Sequence, residues 1–252
     1  MHHVIVPLNA FNRVEVLKRG QASFFPMIAQ SGAFGVEIRR ELLTEQDLPL
    51  HIMREEMEQY QLFTVFSAPI ELWKKNHQFN EKELTVIFQE GKELGAKWIK
   101  VSLGHFHKEQ SNVADLLLFL NEHKEIQLLV ENDQTLYGGN IHQLKMFFES
   151  AYEMGVPVKM TFDIGNWHYS KQNVDEALRE LAPYVHYLHL KQVEVQDGEW
   201  VTVPLQKNNY WEFLLKRFPP EMMKALEFPI EPPEKTKEYI QMMVERVVLC
   251  NH

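Results

Sequence analysis

The segment Val158-Lys159-Met160-Thr161-Phe162-Asp163-Ile164-Gly165-Asn166 contains a pattern that recurs along the chain. A short run rich in apolar and β-branched residues ends in a carboxylate and a polar turn. Apolar residues on both parities are typical of a strand covered on both faces in a parallel sheet. Residues 158–162 therefore predict a buried strand. Seven further runs share these features, at residues 3–8, 35–38, 62–66, 98–101, 127–130, 185–190 and 224–228.

Longer stretches between these runs carry apolar residues three or four positions apart, as amphipathic helices do. Successive strand candidates lie roughly 25 to 40 residues apart, which is the length of a βα unit. Eight such units in 252 residues predict a (β/α)8 TIM barrel, an α/β fold, formed by a single domain over residues 1–252. A doubly wound open sheet is the alternative, but the sequence has no GxGxxG or Walker motif to favour it.

The composition argues against several classes of protein. Lys and Arg number 26 and Asp and Glu 35, so the net charge of −9 argues against nucleic-acid binding. The single cysteine, Cys250, can form neither an internal disulfide nor a cysteine metal cage. No apolar run reaches the roughly 18 residues typical of a membrane span, and no secretion signal opens the chain. We therefore expect a cytoplasmic protein without a membrane partner.

Polar residues end four successive strand candidates, and they are Glu131, Asp163, His189 and Glu227. A TIM barrel brings the C-terminal ends of its strands together at the face where chemistry occurs. Three carboxylates at close range repel one another unless a cation lies among them. Three oxygen donors and one imidazole suit Mn²⁺, Mg²⁺, Co²⁺ or Zn²⁺. His186 is the competing ligand, but it points to the opposite strand face from His189 and lies further from the strand end.

The chain resembles the xylose isomerase-like TIM-barrel superfamily of sugar and sugar-phosphate isomerases and epimerases. The motifs that carry the resemblance are Gly35-Val36-Glu37-Ile38-Arg39-Arg40-Glu41, Val130-Glu131-Asn132, Phe162-Asp163-Ile164-Gly165-Asn166-Trp167, Tyr187-Leu188-His189-Leu190-Lys191 and Leu226-Glu227-Phe228. The resemblance implies one divalent metal ion bound by Glu131, Asp163, His189 and Glu227. It also implies that Glu131 and Glu227 are acid and base groups on opposite faces of the substrate.

The chemistry that such a site supports is removal of a proton α to a carbonyl, which gives an enediolate. Return of the proton to the opposite face epimerises a sugar, and return to the adjacent carbon interconverts an aldose and a ketose. We therefore predict a sugar or sugar-phosphate isomerase or epimerase. A dehydratase of a keto-inositol or related polyol is the alternative. A non-catalytic sugar-binding barrel and a relative of the abasic-site endonucleases are less favoured.

Further residues near the predicted strand ends are candidates for substrate binding, and they are His105, Asn166, Trp167, His168 and Lys191. Asn166 stands where many members of the superfamily have a histidine, which leaves the substrate and the proton relay open. Glu37 and Arg39 share one face of the second strand and form either a structural pair or part of the barrel mouth. The apolar residues of the last helix are consistent with a homodimer.

Overall fold

A computed structural model describes residues 3–207 and 209–249, without the side chains of residues 246–249. The eight barrel strands are β1 Val4–Pro7, β2 Gly35–Arg39, β3 Phe63–Trp73, β4 Trp98–Gly104, β5 Gln127–Glu131, β6 Val158–Asp163, β7 Val185–Leu190 and β10 Met223–Leu226. They pair in parallel in this order, and β10 closes the barrel against β1. The predicted (β/α)8 TIM barrel is therefore confirmed.

Helices follow each barrel strand and cover the outside of the sheet. They are α1 Arg13–Arg19, α2 Phe25–Gln30, α3 Leu50–Gln59, α4 Glu81–Glu93, α5 Val113–Asn121, α6 Ile141–Glu153, α7 Asn166–Tyr169, α8 Val174–Leu181, α9 Tyr210–Leu215 and α10 Thr236–Leu249. None of the described helices is long and apolar enough to cross a membrane. The described part of the chain does not include Cys250 or the side chains of residues 246–249 at the end of α10. The predicted homodimer contact through the last helix therefore falls partly outside it.

Two features of the strands differ from the sequence prediction. Strand β3 continues past the predicted residue 66 to Trp73, because it resumes pairing with β4 after an irregularity between Ser67 and Glu71. A hairpin of β8, Gln192–Gln196, and β9, Glu199–Val203, follows β7 and was not predicted. Its turn residues Asp197 and Gly198 both have positive φ, which is the two-residue Asp-Gly turn that favours hairpins.

The barrel interior changes from apolar to charged along its axis. Its lower layer is a cluster of buried side chains from successive strands, namely Ile5, Val65, Trp98, Leu129, Tyr187 and Ala225. Because side chains on a strand alternate between faces, the residues two positions later also point inward. The next layer therefore lies at the C-terminal end of the barrel, directly above a rigid apolar floor.

Candidate metal centre

The charged layer of the barrel interior follows from the period of two along each strand. Lys100 lies two residues after Trp98, Glu131 after Leu129, His189 after Tyr187 and Glu227 after Ala225. In the pairing register, His189 lies beside Asp163 on one side and beside Ala225 on the other. The strands thus carry their polar side chains to the same level of the barrel.

Four side chains of this layer converge on one point. Glu131, Asp163, His189 and Glu227 each offer one donor atom, and these atoms all lie within 4.8 Å of one another. The Nδ1 atom of His189 is 2.7 Å from Oε2 of Glu227, 3.2 Å from Oε1 of Glu131 and 3.8 Å from Oδ2 of Asp163. The structure therefore brings together the four residues that the sequence analysis selected as metal ligands.

The second oxygens of two carboxylates are held by groups outside this central point. Lys100 donates from Nζ to Oε2 of Glu131 over 2.8 Å. The backbone N–H of Asn166 donates to Oδ1 of Asp163 over 2.9 Å. These contacts leave Oε1 of Glu131 and Oδ2 of Asp163 directed at the centre.

Glu227 and His189 are anchored in the same way. Asn9 and Arg39 donate to Oε1 of Glu227 over 2.9 and 3.2 Å, which leaves its Oε2 at the centre. His189 contacts Oε2 of Glu37 through Nε2 over 3.0 Å, so its Nδ1 faces the carboxylates. Such outer contacts fix the orientation of metal-ligating side chains in proteins.

Glu37 is the main anion beneath the centre and is fully buried. Its carboxylate lies 2.9 Å from Arg39 Nη1 and 3.3 Å from Lys100 Nζ, and it accepts a hydrogen bond from Tyr187. Burial alone would raise the pKa of Glu37, but the cations Lys100, His189 and Arg39 outweigh burial and hold this pKa well below its usual range. The sequence left open whether Glu37 and Arg39 form a structural pair or part of the barrel mouth, and the structure shows that they form an ion pair.

The central residues have perturbed acidities. Burial is the largest cause that raises the pKa of Asp163, to about 7; Lys191 opposes this rise, and repulsion by Glu227 and Glu131 adds to it. Burial and Lys100 lower the pKa of His189, but Glu37, Glu227 and Glu131 prevail and raise it to about 9. The raised pKa of His189 favours the imidazolium, in which Nδ1 and Nε2 donate to Glu227 and Glu37, so a cation at Nδ1 would have to replace a proton.

The donor set fits a divalent cation. The inward-facing atoms Oε1 of Glu131 and Oδ2 of Asp163 are buried and accept no hydrogen bond of good geometry from the described residues. The nearest charged groups are Nδ1 of His189, 3.2 Å from Oε1, and the Lys191 ammonium, 2.8 Å from Oδ2. Buried carboxylate oxygens without a hydrogen bond are costly unless a cation compensates them. Three oxygens and one imidazole nitrogen match the ligand preferences of Mn²⁺, Mg²⁺, Co²⁺ and Zn²⁺.

Two of the residues predicted to bind substrate lie beside the centre. Lys191 places its Nζ 2.8 Å from Oδ2 of Asp163 and 2.9 Å from Oε2 of Glu227. Asn166 accepts from Lys191 and Gln134 and donates to the backbone oxygen of Asn132. The side chain of Asn166 is therefore occupied in holding the loop after β6.

The two predicted histidines lie further out at the same end of the barrel. The ring centroids of His105 and Tyr137 lie 3.9 Å apart. Both side chains line a cavity of about 730 Å³, which Glu71 also lines. His168 packs against Trp200 of the hairpin and lines a second cavity of about 420 Å³. Lys191 also lines this second cavity, together with Ile164 of the loop after β6.

Trp167 is a correction to the sequence analysis, which placed it among the residues that bind substrate. Its ring is fully buried and packs against Phe162. Residue 167 belongs to the four-residue helix α7, which turns the ring into the core instead of toward the barrel mouth. Trp167 therefore stabilises the fold and offers no face to a sugar.

The sequence analysis did not select Asn9, Lys100 or Asn132. Asn132 pairs with the backbone of Asp163 in both directions, by a donated bond of 2.9 Å and an accepted bond of 2.8 Å. The sequence does contain an indication for Lys100, because a lysine inside a strand that is covered on both faces needs a buried anion as its partner. Asn9 lies after β1, and its side chain reaches Glu227 across 218 positions of sequence, which no local pattern indicates.

Comparison with solved structures identifies barrels of the same architecture. A xylose isomerase domain-containing protein from Salmonella typhimurium LT2 superposes with a TM-score of 0.69 at 16% identity, over 100% of this chain and 98% of that chain. An L-ribulose 3-epimerase gives a TM-score of 0.68 at 12% identity, over 99% and 96% of the two chains. The IolI protein, solved with a bound zinc atom, gives 0.61 at 17% identity, over 98% and 97%. No family model and no curated protein matches the sequence.

Proposed function

We propose that this chain, which has the xylose isomerase-like TIM-barrel fold, is a divalent-metal-dependent isomerase or epimerase of a sugar or sugar phosphate. The observation that carries the proposal is the convergence of Glu131, Asp163, His189 and Glu227 within 4.8 Å. Each of the three carboxylates keeps one oxygen for the scaffold and directs the other at the centre. The similarity to an L-ribulose 3-epimerase supports this class of substrate.

In this proposal the four residues hold one metal ion, Mn²⁺, Mg²⁺, Co²⁺ or Zn²⁺. When bound, the ion would supply positive charge that stabilises the oxygens of an enediolate. The protein solved with zinc shows that a barrel of this architecture accommodates such an ion. Glu37, Lys100 and Arg39 orient the ligands from below and from the side.

The protein residues perform the proton transfers. Glu131 and Glu227 are assigned as acid and base, because Glu131 ends β5, Glu227 directly follows β10, and each offers one oxygen to the central cluster. One glutamate removes the proton α to the substrate carbonyl and the other returns a proton to the opposite face. The apolar floor of Val65, Leu129 and Tyr187 excludes water from below, which strengthens electrostatic interactions in the site.

Residues around the barrel mouth are proposed to bind the substrate. Lys191 lies within reach of an anionic or hydroxyl group next to the centre. His105 and His168 border the two cavities at this end of the barrel. Asn166 acts through the loop that holds Asp163.

A product screen tests the proposal. The protein is loaded with Mn²⁺ in D₂O and offered ketoses, aldoses, their phosphates and keto-inositols, with detection by mass spectrometry. We expect one sugar to gain one mass unit and to rearrange. The gain should be absent in Glu131→Gln and Glu227→Gln, and retained in Glu153→Gln, which changes an exposed glutamate at the end of α6.

Other outcomes would contradict the proposal. Loss of the mass of one water without rearrangement would identify a dehydratase that uses the same residues. Retained exchange in both active-site variants would exclude the assigned acid and base. Saturable binding of a sugar with no exchange in any panel member would favour a non-catalytic sugar-binding barrel, and cleavage of abasic DNA would identify an endonuclease.

A further inference from the structure

We propose that Lys191 is a built-in cation that occupies the metal-ligand oxygens, so that a divalent ion binds only when the lysine moves aside. Lys191 would then set the metal affinity of the site. The inference rests on the proposed function, because it assumes that Glu131, Asp163, His189 and Glu227 form a metal site.

The position of the ammonium group supports this role. Lys191 Nζ lies 2.8 Å from Oδ2 of Asp163 and 2.9 Å from Oε2 of Glu227. Both atoms are the inward-facing oxygens that the metal would use. Lys191 is 9% exposed, and charges in such a poorly hydrated environment repel each other strongly at short range. The ammonium and a divalent ion therefore compete for the same oxygens.

The other cations of the layer do not compete in this way. Lys100 contacts Oε2 of Glu131 and Arg39 contacts Oε1 of Glu227, and these are the oxygens that point away from the centre. Both cations are compatible with a metal ion and hold its ligands in place. Lys191 differs because it contacts the central oxygens of two ligands at once.

The fold contains a groove that fits the stem of Lys191. A Cβ atom added to Gly165 would overlap Cγ and Cδ of Lys191 and would also lie 2.8 Å from Cγ2 of Val193. Gly165 has a φ of −76°, which any residue adopts, so the backbone does not require glycine there. The glycine instead makes room for the lysine stem, which guides the ammonium toward Asp163.

Space is also present for the displaced side chain. Lys191 lines the cavity of about 420 Å³ that also contains Asp175 and Asn173. Nζ also donates to Oδ1 of Asn166 over 3.3 Å. A lysine that leaves the centre would keep this contact and face a substrate bound in the mouth.

The test is a calorimetric titration of the full chain with Mn²⁺ after the chain has been treated with a chelator, and it measures the Kd for the ion. We expect Lys191→Met to bind Mn²⁺ about tenfold more tightly than the unmodified chain, or better. Gly165→Ala keeps the charge but pushes the stem out of its groove, and should shift the Kd in the same direction by a smaller factor. Lys97→Met changes an exposed lysine before β4 and should leave the Kd unchanged.

A second readout is the melting temperature of the metal-free chain. Removal of the ammonium leaves Asp163 and Glu227 less compensated, so Lys191→Met should melt lower without metal and gain more on addition of Mn²⁺. Gly165→Ala provides the affinity comparison if Lys191→Met does not fold.

The outcomes separate this inference from the proposed function. Equal or weaker Mn²⁺ binding by Lys191→Met, while the unmodified chain binds one ion that Asp163→Asn abolishes, would overturn only the role of Lys191. Binding of one ion by the unmodified chain, with tighter binding by Lys191→Met and Gly165→Ala, would support both the metal site and the role of Lys191. Absence of binding by the unmodified chain, Lys191→Met and Gly165→Ala would overturn both the metal site and this inference.

Discussion

Replacement of Glu37 by glutamine tests whether the buried anion beneath the centre organises the charged layer. The substitution keeps the shape of the side chain and removes its charge. Glu37 contacts Arg39, Lys100 and His189 at distances of 2.9, 3.3 and 3.0 Å, and all of these contacts are buried or nearly so. Loss of one partner from a buried ion pair costs about 3 to 5 kcal/mol.

The expected magnitude lies near the lower limit of that range. Lys100 keeps Glu131 and Arg39 keeps Glu41 and Glu227 as partners, so neither cation is left alone. We therefore expect a loss of about 3 kcal/mol in the free energy of unfolding at pH 6.5. For a chain of this size, that corresponds to a melting temperature lower by roughly 6 to 12 °C.

The pH dependence of this loss follows from the pKa of His189. Its pKa of about 9 in the folded chain exceeds the usual histidine value of 6.5, so protonation stabilises the fold below pH 6.5 and this stabilisation disappears as the pH rises through 9. Glu37 is the first of the anions that raise this pKa. Its removal should lower the pKa of His189 by about one unit or more. The difference in stability between the two proteins should therefore be smaller at pH 9.5 than at pH 6.5.

The assay is urea unfolding of metal-free protein at both pH values, with NMR titration of the His189 ring. Glu41→Gln is the matched control, because Glu41 also pairs with Arg39 over 2.9 Å but is 27% exposed. It should cost less than about 1 kcal/mol and leave the His189 titration unchanged. Equal losses in the two variants, or an unchanged His189 pKa in Glu37→Gln, would refute the assigned role of Glu37.

Three further predictions concern other parts of the barrel. Burial lowers the pKa of Lys224 to about 8, so the free energy of unfolding of the unmodified chain should rise by up to about 3 kcal/mol between pH 8 and pH 10. Urea unfolding of Lys224→Met should not show this rise. Trp167→Ala should lower the free energy of unfolding by about 3 to 5 kcal/mol because its buried ring leaves a cavity, and a loss below 1 kcal/mol in urea would contradict its place in the core. His105→Ala should raise the KM for the sugar found in the product screen by about fivefold with little change in kcat, and an unchanged KM would remove His105 from the substrate site.

The barrel and its four central residues could be predicted from the sequence because both follow from a pattern of neighbouring residues that repeats along the chain. Apolar runs at regular intervals predict the strands, and the last polar residue of each run lies at the C-terminal face. Glu131 and Asp163 follow their predicted runs directly, and Glu227 lies near the end of the run 224–228, so strand ends and ligand positions were found together. Their convergence then required only the closure of the sheet.

The contacts that hold the four central residues in place could not be predicted from such a local pattern. Asn9 and Lys100 support Glu227 and Glu131 across many residues of sequence, and their pairing depends on register and side-chain reach. The burial of Trp167 depends on how α7 turns after Gly165, which a list of strand ends does not show. The extension of β3 to Trp73 runs through Pro69, a residue that usually argues against a continuing strand.

A metal titration of Asp163→Asn tests the central claim most directly. Native mass spectrometry of the chain after treatment with Mn²⁺ should show one bound ion in the unmodified protein and none in Asp163→Asn. Asp133→Asn is the control, because Asp133 lies two residues after the β5 ligand, outside the central cluster, and its Oδ1 atom accepts hydrogen bonds from the backbone N–H and the hydroxyl of Thr135. Equal ion counts in the unmodified protein and Asp163→Asn, or no ion in either, would contradict the metal centre on which the proposed function depends.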